Sequence, residues 1–253
     1  MNQDINKAIY HFYLAANNHK LPKAQYYLGE IYYQNKYVER DIIKSIDYLL
    51  DAAYKNNVKA QLLLGQIFFE NKYIERDMNR STEFLTMAAQ QDNETAQFIL
   101  GSMFYAGQYV SQSIILAITY FKQASEHNNV FALFNLGTIY IDNKYIKRNV
   151  NESIKYYKQA ADLNYSEAQN ELGCIYYEGK YIKQDINKAI EYYNLAANQN
   201  HSIAQFNLGI IYLNGKHVHR DMAKSINYFT LSAKQNYLLA QYYLGHIYYD
   251  NEY

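Results

Sequence analysis

Apolar residues along this chain follow a helical period set inside a longer one. Ala24, Leu28 and Ile31 lie at i, i+4 and i+7, one stripe of an α-helix. Ser45, Ile46, Tyr48, Leu49, Ala52 and Ala53 mark the inward side of a second helix. Between the two, Asn35 is suited to the left-handed conformation that closes a helix, and Asp41 is a good N-cap for the next. No stretch alternates apolar and polar residues as a half-buried strand would, so the chain is expected to be all-α.

The pattern then recurs. Leu-Gly returns every 36 residues, at Gly29, Gly65, Gly101, Gly137, Gly173, Gly209 and Gly245, and Ala24 starts an alanine series with the same step. The helix-closing position reads Asn35, Asn71, Gly107, Asn143, Gly179, Gly215 and Asn251. The capping series reads Asp4, Asp41, Asp77, Ser113, Asn149, Asp185 and Asp221, with the aspartate cap lost at Ser113 and Asn149. Seven 36-residue repeats, plus one residue inserted near Lys20-Leu21-Pro22, account for all 253 residues. Residues 1–253 are thus expected to form one array, with repeats at approximately 1–37, 38–73, 74–109, 110–145, 146–181, 182–217 and 218–253. Glycine inside a helix costs about 0.8–1 kcal/mol relative to alanine. A series of them is tolerable where the missing side chain lets a neighbouring helix come close.

The stretch "AQYYLGEIYYQNKYVERDIIKSIDYLLDAAYKNN" resembles the Sel1-like repeat, a relative of the tetratricopeptide repeat, through Ala24, Leu28, Gly29, Tyr32, Asp41, Lys44, Ser45, Ala52 and Ala53. The resemblance implies an α/α solenoid, a right-handed superhelix of helix pairs, that binds proteins along its concave side as a scaffold or adaptor. A cysteine-rich branch of that family has a disulfide in each repeat and has been associated with enzyme-like activity. This chain has the single cysteine Cys174, so that activity does not carry over.

Comparing repeats within the chain separates scaffold from surface. Four positions on each Leu-Gly helix vary freely, represented by Lys23, Tyr27, Glu30 and Gln34 in the first repeat. Their spacings of 4, 3 and 4 place them on one narrow face. A solvated face would drift in this way, but apolar entries such as Leu63, Ile99, Phe131, Ile203 and Ile210 favour a ligand-lining groove. Candidate partner-binding residues are Tyr27, Glu30, Leu63, Gln66, Ile99, Phe131, Asn135, Glu171, Asn207 and Ile210, with the centre expected at Ile99, Phe131, Asn135 and Glu171. A second candidate contact is "SIILAITYF" (113–121), where Ile115 and Leu116 replace mostly polar residues.

Composition narrows the function. The net charge is zero, from 24 basic and 24 acidic residues. The alternative of a helical-repeat nucleic-acid binder would need cations along the groove. The stripe holds only Lys23 and Lys59, against Glu30, Glu70, Asp142, Glu167, Glu171, Glu178 and Asp250. A protein or peptide partner is therefore expected, and no nucleic acid. No apolar run approaches the ~20 residues that span a bilayer, so no membrane partner is expected. The start "MNQDINKAIYHF" lacks a signal-peptide layout, which makes the cytoplasm the expected compartment.

No phosphate loop, nucleophile elbow or metal-ligand spacing appears, so neither enzyme activity nor a cofactor is expected. His217 and His219 are too few for a zinc site, and Cys174 has no base near it in sequence. The final Leu-Gly helix has no following partner helix, leaving Gly245, Tyr242 and Tyr249 uncovered. Further repeats, a partner protein or end-to-end self-association would each cover them.

Overall fold

The computed structural model describes residues 2–108, 110–142 and 144–249. Among them are fourteen helices and no strand. The Leu-Gly helices are α2 (Pro22–Gln34), α4 (Val58–Glu70), α6 (Glu94–Ala106), α8 (Val130–Ile141), α10 (Ser166–Glu178), α12 (Ser202–Asn214) and α14 (Leu238–Tyr249). Alternating with these glycine helices are partner helices: α1 (Asn2–Asn18), α3 (Ile42–Ala53), α5 (Met78–Gln90), α7 (Ile114–Glu126), α9 (Val150–Asp162), α11 (Ile186–Asn198) and α13 (Met222–Lys234). The chain divides into two compact units, Met1–Asn129 and Val130–Tyr253.

Each glycine helix from α2 to α12 packs most extensively on the partner helix that follows it, and α14 packs on α13, which precedes it. In unit 1, a β-carbon at Gly29 would lie 2.5 Å from Leu49 Cγ, and one at Gly65 would lie 2.6 Å from Leu85 Cγ. Phe121 fills the same place against Gly101. In unit 2 the fillers are Tyr157 at Gly137, Tyr193 at Gly173 and Phe229 at Gly209. All six fillers are buried, and Leu28, Leu64, Leu100, Leu136, Leu172 and Leu208 complete the cores beside them. The glycines are therefore sites of close helix approach. Gly245 differs, with nothing within 4 Å of the corresponding point.

Local signals account for the helix ends. Asp41 Oδ1 accepts from the Lys44 amide at 2.9 Å. Ser113 and Asn149, expected to lack the cap, supply it: their side chains accept from the amides of Leu116 and Glu152. Serine and asparagine offer the same short oxygen acceptor as aspartate. Asp4 does not cap α1. It lies in the first turn, because that helix already starts at Asn2, and there it complements the helix dipole. Asn35, Asn71, Gly107, Gly179 and Gly215 adopt the expected positive φ. Asn143, Asp250 and Asn251 lie outside the described residues.

Two recurrent features were not anticipated. Left-handed residues also follow the partner helices, at Asn56, Asp92, Asn128, Asn164, Asn200 and Asn236. Buried glutamines tie successive helices together. Gln61 Nε2 donates to the Ala53 carbonyl at 2.9 Å, and Gln91 Nε2 donates to Gln61 Oε1 at 2.7 Å. The pairs Gln199–Gln169 and Gln235–Gln205 repeat the second bond in unit 2.

Candidate functional site

In unit 1 the variable stripe is apolar at its centre. Tyr27, Leu63 and Ile99 hold the same position on α2, α4 and α6. Tyr27 stacks on Phe12 with ring centres 5.0 Å apart, and Leu63 and Ile99 are half-buried against the core. Glu30 accepts from the Tyr26 hydroxyl at 2.7 Å, and Glu70 accepts from the Tyr33 hydroxyl at 3.1 Å. Burial, with the neighbouring carboxylate adding to it, raises both phenols, Tyr33 to about 12. Each tyrosine thus stays a neutral donor that orients its carboxylate. Gln66, on α4, is half-buried.

Between α4 and α6 the stripe opens into a cavity of about 310 Å³, lined by residues including Phe69, Ile99, Ser102, Met103, Ala106 and Val110. Sequence reasoning chose Ile99 but missed the rest. The legible signal was the pair Ser102 and Ala106, small where other repeats carry larger side chains.

In unit 2 the same position is polar on α8, α10 and α12 and aromatic again at Tyr243 on α14. Asn135, Glu171 and Asn207 occupy the position that Tyr27, Leu63 and Ile99 hold in unit 1, and all three are half-buried. Asn207 Nδ2 donates to Asn170 Oδ1 at 3.4 Å. Asn170 is buried where other repeats place leucine or an aromatic ring. Burial raises the Glu171 carboxyl above its usual range. Ile210 packs beside the Phe229 cluster, and Phe131, 50% exposed, meets Tyr165 edge-on with centres 5.5 Å apart. Of the expected central group, Ile99 belongs to unit 1, while Phe131, Asn135 and Glu171 belong to unit 2.

The remaining candidates offer little reactivity. Cys174 Sγ accepts from the Tyr193 hydroxyl at 3.4 Å, and burial pushes the thiol up to about 11, so it stays protonated and weakly nucleophilic. His217 packs edge-on to Tyr177 at 6.3 Å. Among the described residues, no group of three histidine, cysteine, aspartate or glutamate side chains could hold a metal, and no helix is long and apolar enough to cross a membrane. Ile115 is 76% exposed on α7, with Leu116 beside it also exposed.

The recurrent Leu-Gly helix, its buried filler and the capped partner helix together match the Sel1 repeat family model. Eight segments match: 1–19, 22–57, 58–93, 95–129, 130–165, 166–201, 202–237 and 238–251. The chain belongs to the Sel1 repeat family. The family model begins each repeat at the glycine helix, so its first and last segments are partial. Sel1 repeat proteins are generally protein–protein interaction scaffolds.

Among solved structures, this Sel1 chain is similar to c5321, a protective antigen of uropathogenic Escherichia coli strains displaying an SLR fold. The TM-score is 0.85 at 29% identity, covering 94% of this chain and 50% of that one. A Sel1 repeat protein from Oxalobacter formigenes matches with a TM-score of 0.73 at 27% identity, covering 96% of this chain and 76% of that one. The chain therefore spans about half the length of the Escherichia coli antigen. No curated protein matches it.

Proposed function

We propose that the chain is an interaction scaffold that holds an extended peptide or protein segment on the stripe of its glycine helices. The observation that carries this reading is the alignment of Tyr27, Leu63 and Ile99 at one position of three successive helices in unit 1. Each is partly or largely exposed, yet each sits beside a buried leucine (Leu28, Leu64, Leu100) that anchors its helix. A binding surface on rigid helices loses little order when it is occupied. In unit 2, the half-buried Asn135 and Asn207 offer amides that can both donate to and accept from a peptide main chain. Acidic residues outnumber cations along the stripe, which supports a protein partner over a polyanion.

The test is photo-crosslinking. p-Benzoylphenylalanine at Tyr27 and at Leu63 should trap the same partner, identified by mass spectrometry. The same group at exposed Asn79 on α5 or Lys158 on α9 should trap none. Tyr27→Lys combined with Ile99→Lys should reduce capture at least tenfold while the circular dichroism spectrum is kept. Trapping only from the α5 and α9 positions, or undiminished capture by the lysine variant, would overturn the assignment.

A further inference from the structure

We propose that the cavity between the first turns of α2 and α4 receives an aspartate or glutamate side chain of the partner segment. The proposal rests on the scaffold reading above and names the chemistry that this part of the stripe selects.

Both charged groups that line the cavity are cations. Its volume is about 460 Å³, and its walls include Lys23, Tyr26, Tyr27, Asn57, Val58 and Lys59, with no carboxylate and no arginine among the lining residues. Lys23 and Lys59 hold the same place on successive glycine helices, and both are exposed. Among the described residues neither enters an ion pair, and Lys59 Nζ lies 6.0 Å from the centre of the Tyr26 ring. A third cation, Lys55, gives its ammonium to two neutral acceptors, the Lys20 carbonyl and Gln25 Oε1, each at 3.1 Å. The carboxylates bonded to this neighbourhood are Glu30, which accepts from the Tyr26 hydroxyl, and Asp51, which accepts from Gln25 Nε2 at 2.9 Å. Neither lines the cavity.

The lysine pair is particular to this place. On the other glycine helices the corresponding residues are Thr95, Phe131, Glu167, Ile203 and Leu239. One repeat further on, Asp92, Glu94 and Thr95 stand where Asn56, Val58 and Lys59 stand here, so the sign of the charge is reversed. A cation in the first turn of a helix opposes the helix dipole. Lys23 and Lys59 therefore carry a local cost that no ion pair within the described chain relieves, and a bound carboxylate would relieve it.

The arrangement favours an acidic side chain over other anions. Two ammonium groups on successive helices match charges spaced along an extended segment, whereas a chain terminus supplies one. Arginine, whose bidentate fork suits phosphate, is absent from the lining. The exposed Asn56 also lines the cavity, and its amide can donate to a carboxylate. The Tyr27 ring, 40% exposed, offers an apolar contact to a residue beside the acid.

The test is an NMR titration of backbone amides. Acetyl-Glu-Phe-Glu-amide should shift Lys23, Ala24, Lys59 and Ala60 and leave the corresponding Ile203 and Leu239 of unit 2 unmoved. At low salt it should bind about fivefold tighter than acetyl-Gln-Phe-Gln-amide, and high salt should erase that advantage. Lys23→Gln with Lys59→Gln should abolish the preference while the thermal midpoint stays or rises, because two charges that oppose helix dipoles are gone.

Equal affinity for the two peptides, or a preference that survives in the glutamine variant, would overturn the proposal. Tighter binding of acetyl-Gln-Phe-Gln with a free carboxyl terminus than of the glutamate amide would place a chain terminus there instead. Tighter binding of phenyl phosphate than of phenylacetate would make it a phosphate site. Either result overturns the acidic side chain. If the preference is absent while Tyr27 and Leu63 still crosslink a partner, the acidic anchor alone is wrong. If crosslinking fails as well, the scaffold reading falls with it.

Discussion

The ring of Tyr157 occupies the space a side chain at Gly137 would need: a β-carbon built there lies 2.5 Å from Tyr157 Cδ1. Tyr157 is buried and its hydroxyl meets Thr138 Oγ1 at 3.0 Å, so the ring cannot easily step aside. Gly137→Ala should therefore destabilise the protein, because overpacking costs about 1–3 kcal/mol while the gain in helix propensity returns only about 0.8–1 kcal/mol. Gly245→Ala has open space and should be neutral or stabilising by up to about 1 kcal/mol. Thermal midpoints of the two variants should move in opposite directions or only Gly137→Ala should move. A larger loss from Gly245→Ala would refute the close-approach account.

The buried glutamines make a paired prediction. Gln61→Leu removes an acceptor from Gln91 and a donor from the Ala53 carbonyl, and should cost about 1–3 kcal/mol. The segment 130–165 shows how the fold tolerates the change, since it carries Leu133 and Leu163 at the two corresponding positions. Adding Gln91→Leu should recover part of the loss, because the Gln91 amide is then no longer left without its Gln61 acceptor. Denaturant midpoints of the single and double variants supply the cycle. Strict additivity would show that the two glutamines act independently.

His127 Nε2 lies 2.9 Å from Asp92 Oδ1, and that hydrogen bond raises the imidazole above its usual range while it lowers Asp92. The folded state thus favours protonated His127. The resulting stabilisation is present below the ordinary histidine range and is lost as pH rises through the raised folded value. Asp92→Asn should lower the NMR titration midpoint of His127 without disturbing the backbone, since asparagine holds the same positive-φ site at Asn56, Asn128 and Asn164. An unchanged midpoint would show that the contact is not formed in solution.

Burial should also make Cys174 slow to react. With its thiol raised from 9.0 to about 11, the thiolate fraction near pH 8 falls about a hundredfold relative to an unperturbed cysteine. Iodoacetamide should label Cys174 slowly in the folded chain and rapidly in denaturant. Equal rates would mean that the region around α10 opens freely.

The repeat shows how far sequence reading reaches here. Helix existence, the period and the glycine approaches were legible because each depends on residues within one turn or on neighbours repeated every 36 positions. The caps at Ser113 and Asn149 were equally local but were judged by identity with aspartate, when the relevant property is a short side-chain acceptor. The stripe was legible as variable and partly apolar. Its change from Tyr27, Leu63 and Ile99 to Asn135, Glu171 and Asn207 could be read along that one series, and its coincidence with the two units once the grouping of helices was known.

By itself, then, the sequence determined the all-α repeat, its family and the face that varies, because helical periodicity and capping are local and a tandem array multiplies each signal. Only the tertiary structure decided that Ser102 and Ala106 open a cavity against Phe69 and that Gln61 pairs with Gln91. Both depend on the size and reach of side chains on different helices, and a single helix carries no record of what stands beside it.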